Sequence, residues 1–284
     1  MELERVSVVV GTDGSAEADR AVRQAAVEAS WRGLPLRVVH AFIWPLFNVP
    51  LGPPEAGPPE AGLANEANRI VQRAVDQARA QAPEIDVTGV VVDGAAAPVL
   101  IREGRTAEMI VVGNRGLGGF SGLLLGSVAV GVTPHAACPV LVVRGEPVAR
   151  GPVVVGVDGS PHGDVALAFA LKEASWRQAT VRAVYASAGP LGGPGSGEPD
   201  RAASRLLAES VDRYSGRHPD VAVERLANTG QPAAVVLDAA RDAQLVVVGA
   251  RGRGGFAGLL LGSVSHSLLH HAPCPVAVVR HPSS

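Results

Sequence analysis

Two glycine clusters with the same internal spacing are the residues best suited to do chemistry in this chain. The first runs Gly113-Asn114-Arg115-Gly116, then nine residues, then Gly126-Ser127. The second runs Gly249-Ala250-Arg251-Gly252, then nine residues, then Gly262-Ser263. Each follows a short apolar run, Met109 to Val112 or Leu245 to Val248, and each ends where a helix is expected to begin. A strand, a glycine-rich loop and a helix start make a phosphate cradle, because free backbone N–H groups and the positive helix end converge there. The plain alternative is that the glycines serve turn geometry alone.

The elements that must position these loops are themselves repeated. Val10-Gly11-Thr12-Asp13-Gly14-Ser15 matches Val155-Gly156-Val157-Asp158-Gly159-Ser160, and the same shift carries Glu28-Ala29-Ser30-Trp31-Arg32 onto Glu173-Ala174-Ser175-Trp176-Arg177. The glycine loops repeat at a shift nine residues shorter, so the first copy holds nine extra residues between His40 and Gly94. Each copy is long enough to bury a core of its own. The expected domains are 1–146 and 150–284, joined near Arg144 to Pro152, where Gly145, Pro147 and Gly151 cluster.

Within a copy, strands and helices alternate. Val6 to Thr12 reads as a strand, Ser15 to Trp31 as a helix, and Leu36 to Phe42 as a second strand. A helix over Ala64 to Ala80, a strand over Val87 to Val92 and a helix over Ala96 to Glu103 follow. Met109 to Val112, Ser127 to His135 and Val140 to Arg144 complete the set as strand, helix and strand. In the second copy Ser160 is a good helix cap and Pro161 suits the first helical position. Strict alternation with continuously apolar strands predicts an α/β fold: two tandem, doubly wound, five-stranded parallel sheets in three α/β/α layers. The expected strand order is 3-2-1-4-5, flavodoxin-like or Rossmann-like. Ligands of such sheets bind beyond the carboxyl ends of the strands, where the strand order switches. The Asp13 turn and the Gly113 loop both lie at such ends.

Composition narrows the function classes. The formal net charge is −2 and 18% of residues are charged, which argues against the basic stripe of a nucleic-acid binder; 47% are apolar, which argues against disorder. No apolar run reaches the ~18 residues of a membrane helix. The acidic start, Met1-Glu2-Leu3-Glu4-Arg5, is unlike a signal peptide, and two cysteines at matching places, Cys138 and Cys274, fit a reducing cytoplasm. The connection after the second strand differs between copies: Trp44 to Gly62, with Pro-Pro-Glu-Ala-Gly twice over, against the glycine-rich Ala188 to Glu198. A lid over the pocket is one reading and a solvated linker the other.

The loops are not those of the common nucleotide cradles. A P-loop needs a lysine after its last glycine, and the sole lysine, Lys172, falls inside an expected helix. The first turn, Gly11-Thr12-Asp13-Gly14, lacks the dinucleotide spacing, and the second strand ends near His40 or Tyr185 rather than at an acid for ribose. A serine-hydrolase elbow is missing around Ser127 and Ser263. The paired V-G-x-D-G-S turns, the doubled G-x-x-G-x9-G-S loops and the runs His135 to Val140 and His271 to Val276 closely resemble the universal stress protein family. The resemblance covers nearly the whole chain as two tandem domains, and the complete glycine loop goes with that family's ATP-binding branch.

The resemblance implies an adenine-nucleotide site in each copy. Gly11 and Thr12 would flank it at the first turn; Gly113, Gly116 and Gly126 would admit ribose and phosphates, and Ser127 with the N–H of Val128 would donate to phosphate. Asp13 would lie near ribose, phosphate or a bound Mg²⁺, since a carboxylate beside phosphate needs a cation or hydroxyl between them. Ala41 matches the position whose backbone reads adenine, Val112 lines the same pocket, and Arg115 is a candidate phosphate ligand. The second copy offers Gly156, Val157, Asp158, Ala186, Val248, Gly249, Arg251, Gly252, Gly262, Ser263 and Val264. Plain readings stand beside these: Asp13 and Asp158 as turn or cap residues, and His135 with Cys138 and His271 with Cys274 as helix-end histidines and buried thiols rather than metal ligands. No catalytic residue is assigned. A nucleotide-binding stress regulator is the main expectation, and a slow ATPase or adenylate-transferring enzyme the alternative; His40 is an acid–base candidate in one copy only. The apolar last strands, Val140 to Val143 and Val276 to Val279, are expected to pair within the chain, with homodimerisation beyond that.

Overall fold

The protein's structure, a computed structural model, describes residues 6–43, 59–118, 124–145, 148, 150–187, 201–253 and 260–281. The chain divides into two compact units, Met1–Val143 and Arg144–Ser284. The first unit runs β1 (Val8–Gly11), α1 (Ala16–Arg32), β2 (Leu36–Phe42), α2 (Pro59–Gln81), β3 (Val87–Asp93), α3 (Ala96–Glu103), β4 (Met109–Gly113), α4 (Ser127–Val132) and β5 (Val140–Val143). The second repeats the order as β6 (Val153–Gly156), α5 (Pro161–Arg177), β7 (Val181–Ser187), α6 (Arg201–Ser215), β8 (Val223–Thr229), α7 (Pro232–Ala239), β9 (Leu245–Gly249), α8 (Ser263–His271) and β10 (Val276–Val279).

Inside each unit the strands are parallel. Their order is β3-β2-β1-β4-β5 in the first and β8-β7-β6-β9-β10 in the second, so both follow the expected 3-2-1-4-5 pattern. β1 lies between β2 and β4, with Val10 in register with both Val38 and Val111. The helices divide between the faces: α1 packs with α2, and α3 with α4; α5 packs with α6, and α7 with α8. Both faces being covered, the central strands are apolar throughout, and Val8, Val9, Val10, Ile110 and Val111 are at most 1% exposed. The chain leaves β1 toward one face and β4 toward the other. That divergence opens a crevice between their carboxyl ends.

Local chemistry sets the element boundaries. Ser15 caps α1 by accepting from the Ala18 N–H at 3.2 Å, and Ser160 caps α5 by accepting from Gly163 at 3.1 Å, with Pro161 at the first turn. α2 begins at Pro59, ahead of the expected Ala64, because a proline followed by Glu60 suits a helix start. α4 stops at Val132, short of the expected His135, and continues as turns from His135 and Ala136 back to the Val132 carbonyl. The cause is Pro134, which disfavours helix in the residue before it; the matching residue of the second unit is His270, and α8 runs on to His271. Of the two proposed lid segments, 44–58 and 188–198 lie outside the described residues, and 59–62 belong to α2.

The repeated Glu-Ala-Ser-Trp-Arg segment closes α1 and α5 with buried charge. Glu28 and Glu173 are 0% and 1% exposed and pair one turn on with Arg32 and Arg177, at 2.5 and 3.1 Å. Such pairs hold because each carboxylate finds its partner locally; removal of one member would strand the other in the core. The next residue turns left-handed in both copies. Gly33 does so at φ 62° without penalty, whereas Gln178 takes φ 52° with a side chain attached. Gln178→Gly is therefore expected to stabilise the second unit by about 1 kcal/mol in chemical denaturation, while Gly33→Gln destabilises the first by a similar amount.

Candidate functional site

Each crevice holds a cavity, about 360 Å³ in the first unit and 530 Å³ in the second. The first brings together Gly11, Thr12, Asp13, Ala41, Val112, Gly113, Arg115, Gly116, Gly126, Ser127 and Val128. The second brings together Gly156, Val157, Asp158, Ala186, Val248, Gly249, Arg251, Gly252, Gly262, Ser263 and Val264. All the candidate residues thus surround one space in each unit, although the turn and the loop lie about a hundred residues apart in sequence.

The aspartates do more than close a turn. Asp13 accepts the Ser15 N–H at 3.0 Å through one oxygen and the Leu117 N–H at 2.7 Å through the other. Asp158 accepts from the Ser160 N–H at 2.9 Å and its hydroxyl at 2.6 Å, and from the Arg253 N–H at 2.9 Å. Each carboxylate therefore ties the first crossover to the glycine loop. The glycines are needed at that junction: a Cβ at Gly116 or Gly252 would land on the facing carboxylate oxygen. A Cβ at Gly113 would sit 3.0 Å from the Glu17 carbonyl, and one at Gly249 would sit 2.8 Å from that of His162. The loop is closed by the Gly126 and Gly262 N–H groups, which donate to Asn114 and Ala250 at 2.7 Å.

The helix starts at the two sides of the crevice differ. α1 and α5 are capped by the serine side chains already described, whereas α4 and α8 begin at Gly126 and Gly262 with no side-chain cap. Their first N–H groups are left for water or a ligand. Ser127 and Ser263 are exposed at those starts.

Several lining residues escaped the sequence reading. Ala18, Val39, Ala96, Leu100, Gly118, Leu125 and Ala129 add to the first cavity, and Gly163, Val184, Tyr185, Pro232, Val236, Arg253, Leu261 and Ser265 to the second. The start of α3 and α7 just after an outer strand's carboxyl end was a usable signal, since that end faces the crevice. His40 is not part of the lining: it is buried, and its Nδ1 donates to the Thr12 carbonyl at 2.8 Å, which also fixes its tautomer. Its acid–base candidacy gives way to a structural bond. Cys138 and Cys274 are buried, and loss of hydration pushes both thiols up to about 12. His135, at the end of the α4 turn, bonds the Gly131 carbonyl at 3.0 Å. Among the described residues no three His, Cys, Asp or Glu side chains cluster as metal ligands, and no helix is long and apolar enough to cross a membrane.

This geometry can be set beside known proteins. A profile of the Universal stress protein family matches residues 6–144 and again 150–280. The chain belongs to the universal stress protein family. This universal stress protein is 40% identical over 283 residues to a universal stress protein of Mycolicibacterium smegmatis, across 96% of each chain. A universal stress protein of Mycobacterium tuberculosis H37Rv is 37% identical over 287 residues, covering 97% of this chain and 96% of its own. Among solved structures, a universal stress protein from Archaeoglobus fulgidus shares the fold with a TM-score of 0.71 at 20% identity, across 97% of this chain and 96% of that one.

If Asp13 and Asp158 clamp the loops, their removal should free specific amides. Asp13→Ala is expected to speed hydrogen exchange at the Leu117 N–H roughly fivefold, and Asp158→Ala at Arg253, with central-strand amides unchanged. Exchange measured by NMR checks this; unchanged loop protection would remove the clamp.

Proposed function

We propose that this protein is a nucleotide-dependent stress-response regulator that holds one adenine nucleotide, ATP with Mg²⁺, in each unit. The observation that carries the reading is the uncapped start of α4 and α8 beside a glycine loop that a side chain would obstruct, while the neighbouring helix starts are sealed by serine. Open N–H groups beside an arginine suit an oxyanion. Phosphates would rest on Gly113, Gly116, Gly126, Ser127 and the Val128 N–H, with Arg115 alongside; Ala41 and Val112 would take the base. Gly249, Gly252, Gly262, Ser263, Val264, Arg251, Ala186 and Val248 would do the same in the second unit. Mg²⁺ fits as a bridge between Asp13 or Asp158 and phosphate oxygens, since one carboxylate plus phosphate is a common ligand set for that ion.

The nucleotide acts as a conformational ligand in this reading, not as a fuel. The described lining holds no histidine, lysine or glutamate, and the one carboxylate of each site accepts two backbone N–H bonds and, in this reading, faces Mg²⁺, which together leave it a weak base. General base catalysis would need a free acceptor within reach of an attacking water. The alternative, a slow ATPase or adenylate-transferring enzyme, predicts multiple turnovers that vanish with Asp13→Ala plus Asp158→Ala. Pure protein denatured by heat is expected to release adenine nucleotide identifiable by chromatography and mass, with phosphate release at background. Absence of both carried nucleotide and any ATP titration signal with Mg²⁺ would refute the reading.

Assembly belongs to the same proposal. The last strands of the two units, Val140–Val143 and Val276–Val279, are apolar along their length, and apolar edges pair. They are proposed to pair within the chain, with homodimers beyond, in a reducing cytoplasm that suits two free buried thiols. Val142→Asp with Val278→Asp should expand the small-angle scattering profile. An unchanged compact profile would count against the pairing.

A further inference from the structure

The two cavities share a frame but not a charge pattern. Leu117 of the first loop is replaced by Arg253 in the second, and Arg253 lines its cavity together with Arg251. At the first turn of the helix beside the loop, Glu17 of the first unit, which pairs with Arg20 at 3.5 Å, is replaced by His162. Behind Arg251, Arg280 donates to the Leu260 carbonyl at 3.1 Å, next to the loop's closing end, and the His281 ring lies 6.2 Å from that of His162. In the first unit the place of His281 is taken by Gly145. Burial, and then the neighbouring Arg251, His281 and Arg280, hold His162 below the usual imidazole range, with Asp158 opposing them. Arg251 and Arg280 match Arg115 and Arg144 of the first unit, so the permanent charge that the second site adds is Arg253. The second cavity is also larger, with Val236 where the first has Leu100 and Gly163 where it has Ala18.

Resting on the nucleotide-binding reading above, we infer that the two sites take different phosphate lengths: the second unit selects nucleoside triphosphate, and the first binds adenine nucleotides with little regard to phosphate number. Each added phosphate brings negative charge that Arg251 and Arg253 can meet with charge-assisted hydrogen bonds. At the first site Arg115 is the arginine among the lining residues, and Leu117 stands where the second has Arg253. A chain exposed to a mixture of adenine nucleotides then carries unlike ligands in its two halves.

Photolabelling of the intact chain with 8-azido-ATP, with the labelled peptides identified by mass spectrometry, reads each site separately. In competition, ATP should protect second-unit peptides at roughly tenfold lower concentration than AMP, while first-unit peptides are protected equally to within about twofold. Added salt should erode the second site's preference first. Arg253→Leu should reduce that preference about fivefold, and Leu117→Arg should raise the first site's preference by a similar factor, a gain that a damaged fold cannot produce. Equal ATP-to-AMP ratios in the two units, or ratios unmoved by both substitutions, overturn the inference and leave nucleotide binding standing. Absence of nucleotide-protectable labelling in both units overturns the two together.

Discussion

The Asp13 and Asp158 carboxylates each accept hydrogen bonds from two segments that the sheet brings side by side: the turn after the first strand of a unit and the glycine loop after the fourth. Much else follows from that junction. Both oxygens must face backbone N–H groups, so the loop has to approach the turn with no side chain between them, and Gly116 and Gly252 stand where a Cβ would strike the carboxylate. The loop so placed delivers the chain to the start of α4 or α8 without a side-chain cap. The crevice between the diverging crossovers is therefore lined on one side by sealed helix ends and on the other by open ones.

The surrounding fold serves that arrangement by being rigid and ordinary. Parallel strands covered on both faces are apolar along their length, and Val8, Val9 and Val10 are matched by Val153, Val154 and Val155, each wholly or almost wholly buried. Three titratable side chains of the core are paired. Glu28 and Glu173 meet arginine one turn away, and His40 donates a hydrogen bond to the Thr12 carbonyl. None of these faces the cavity, so they hold the frame rather than act on a ligand.

The layers and the two candidate constellations were legible in the sequence because each depends on local pattern: apolar runs, helix periodicity, and glycines at a fixed spacing repeated twice; the strand order followed from the fold class that the alternation implies. What it hid was set by tertiary contact. Asp13 looked like a turn residue or a cation ligand, and the bond to Leu117 that makes it a clamp links positions 104 residues apart. Tyr185 and Arg253 had no motif to announce them; they reach the second cavity because of where β7 ends and where the loop folds back. His40 seemed a possible acid–base group, and burial together with one carbonyl gave it another task. The end of α4 was foreseeable from Pro134 but was read three residues too far along.

The long reach of the clamp has a consequence for synthesis. The site of the first unit needs Asp13 and Leu117 in contact, and that of the second needs Asp158 and Arg253, 95 residues apart. A chain emerging from the ribosome thus has no cavity until nearly all of a unit is available to fold, since the central strand must first gain a neighbour encoded far downstream. Any ligand of the crevice then binds finished units alone and adds its binding free energy to their stability by mass action. Occupancy would certify that a unit has completed its fold, and the first half of the chain would reach that state while the second is still being made.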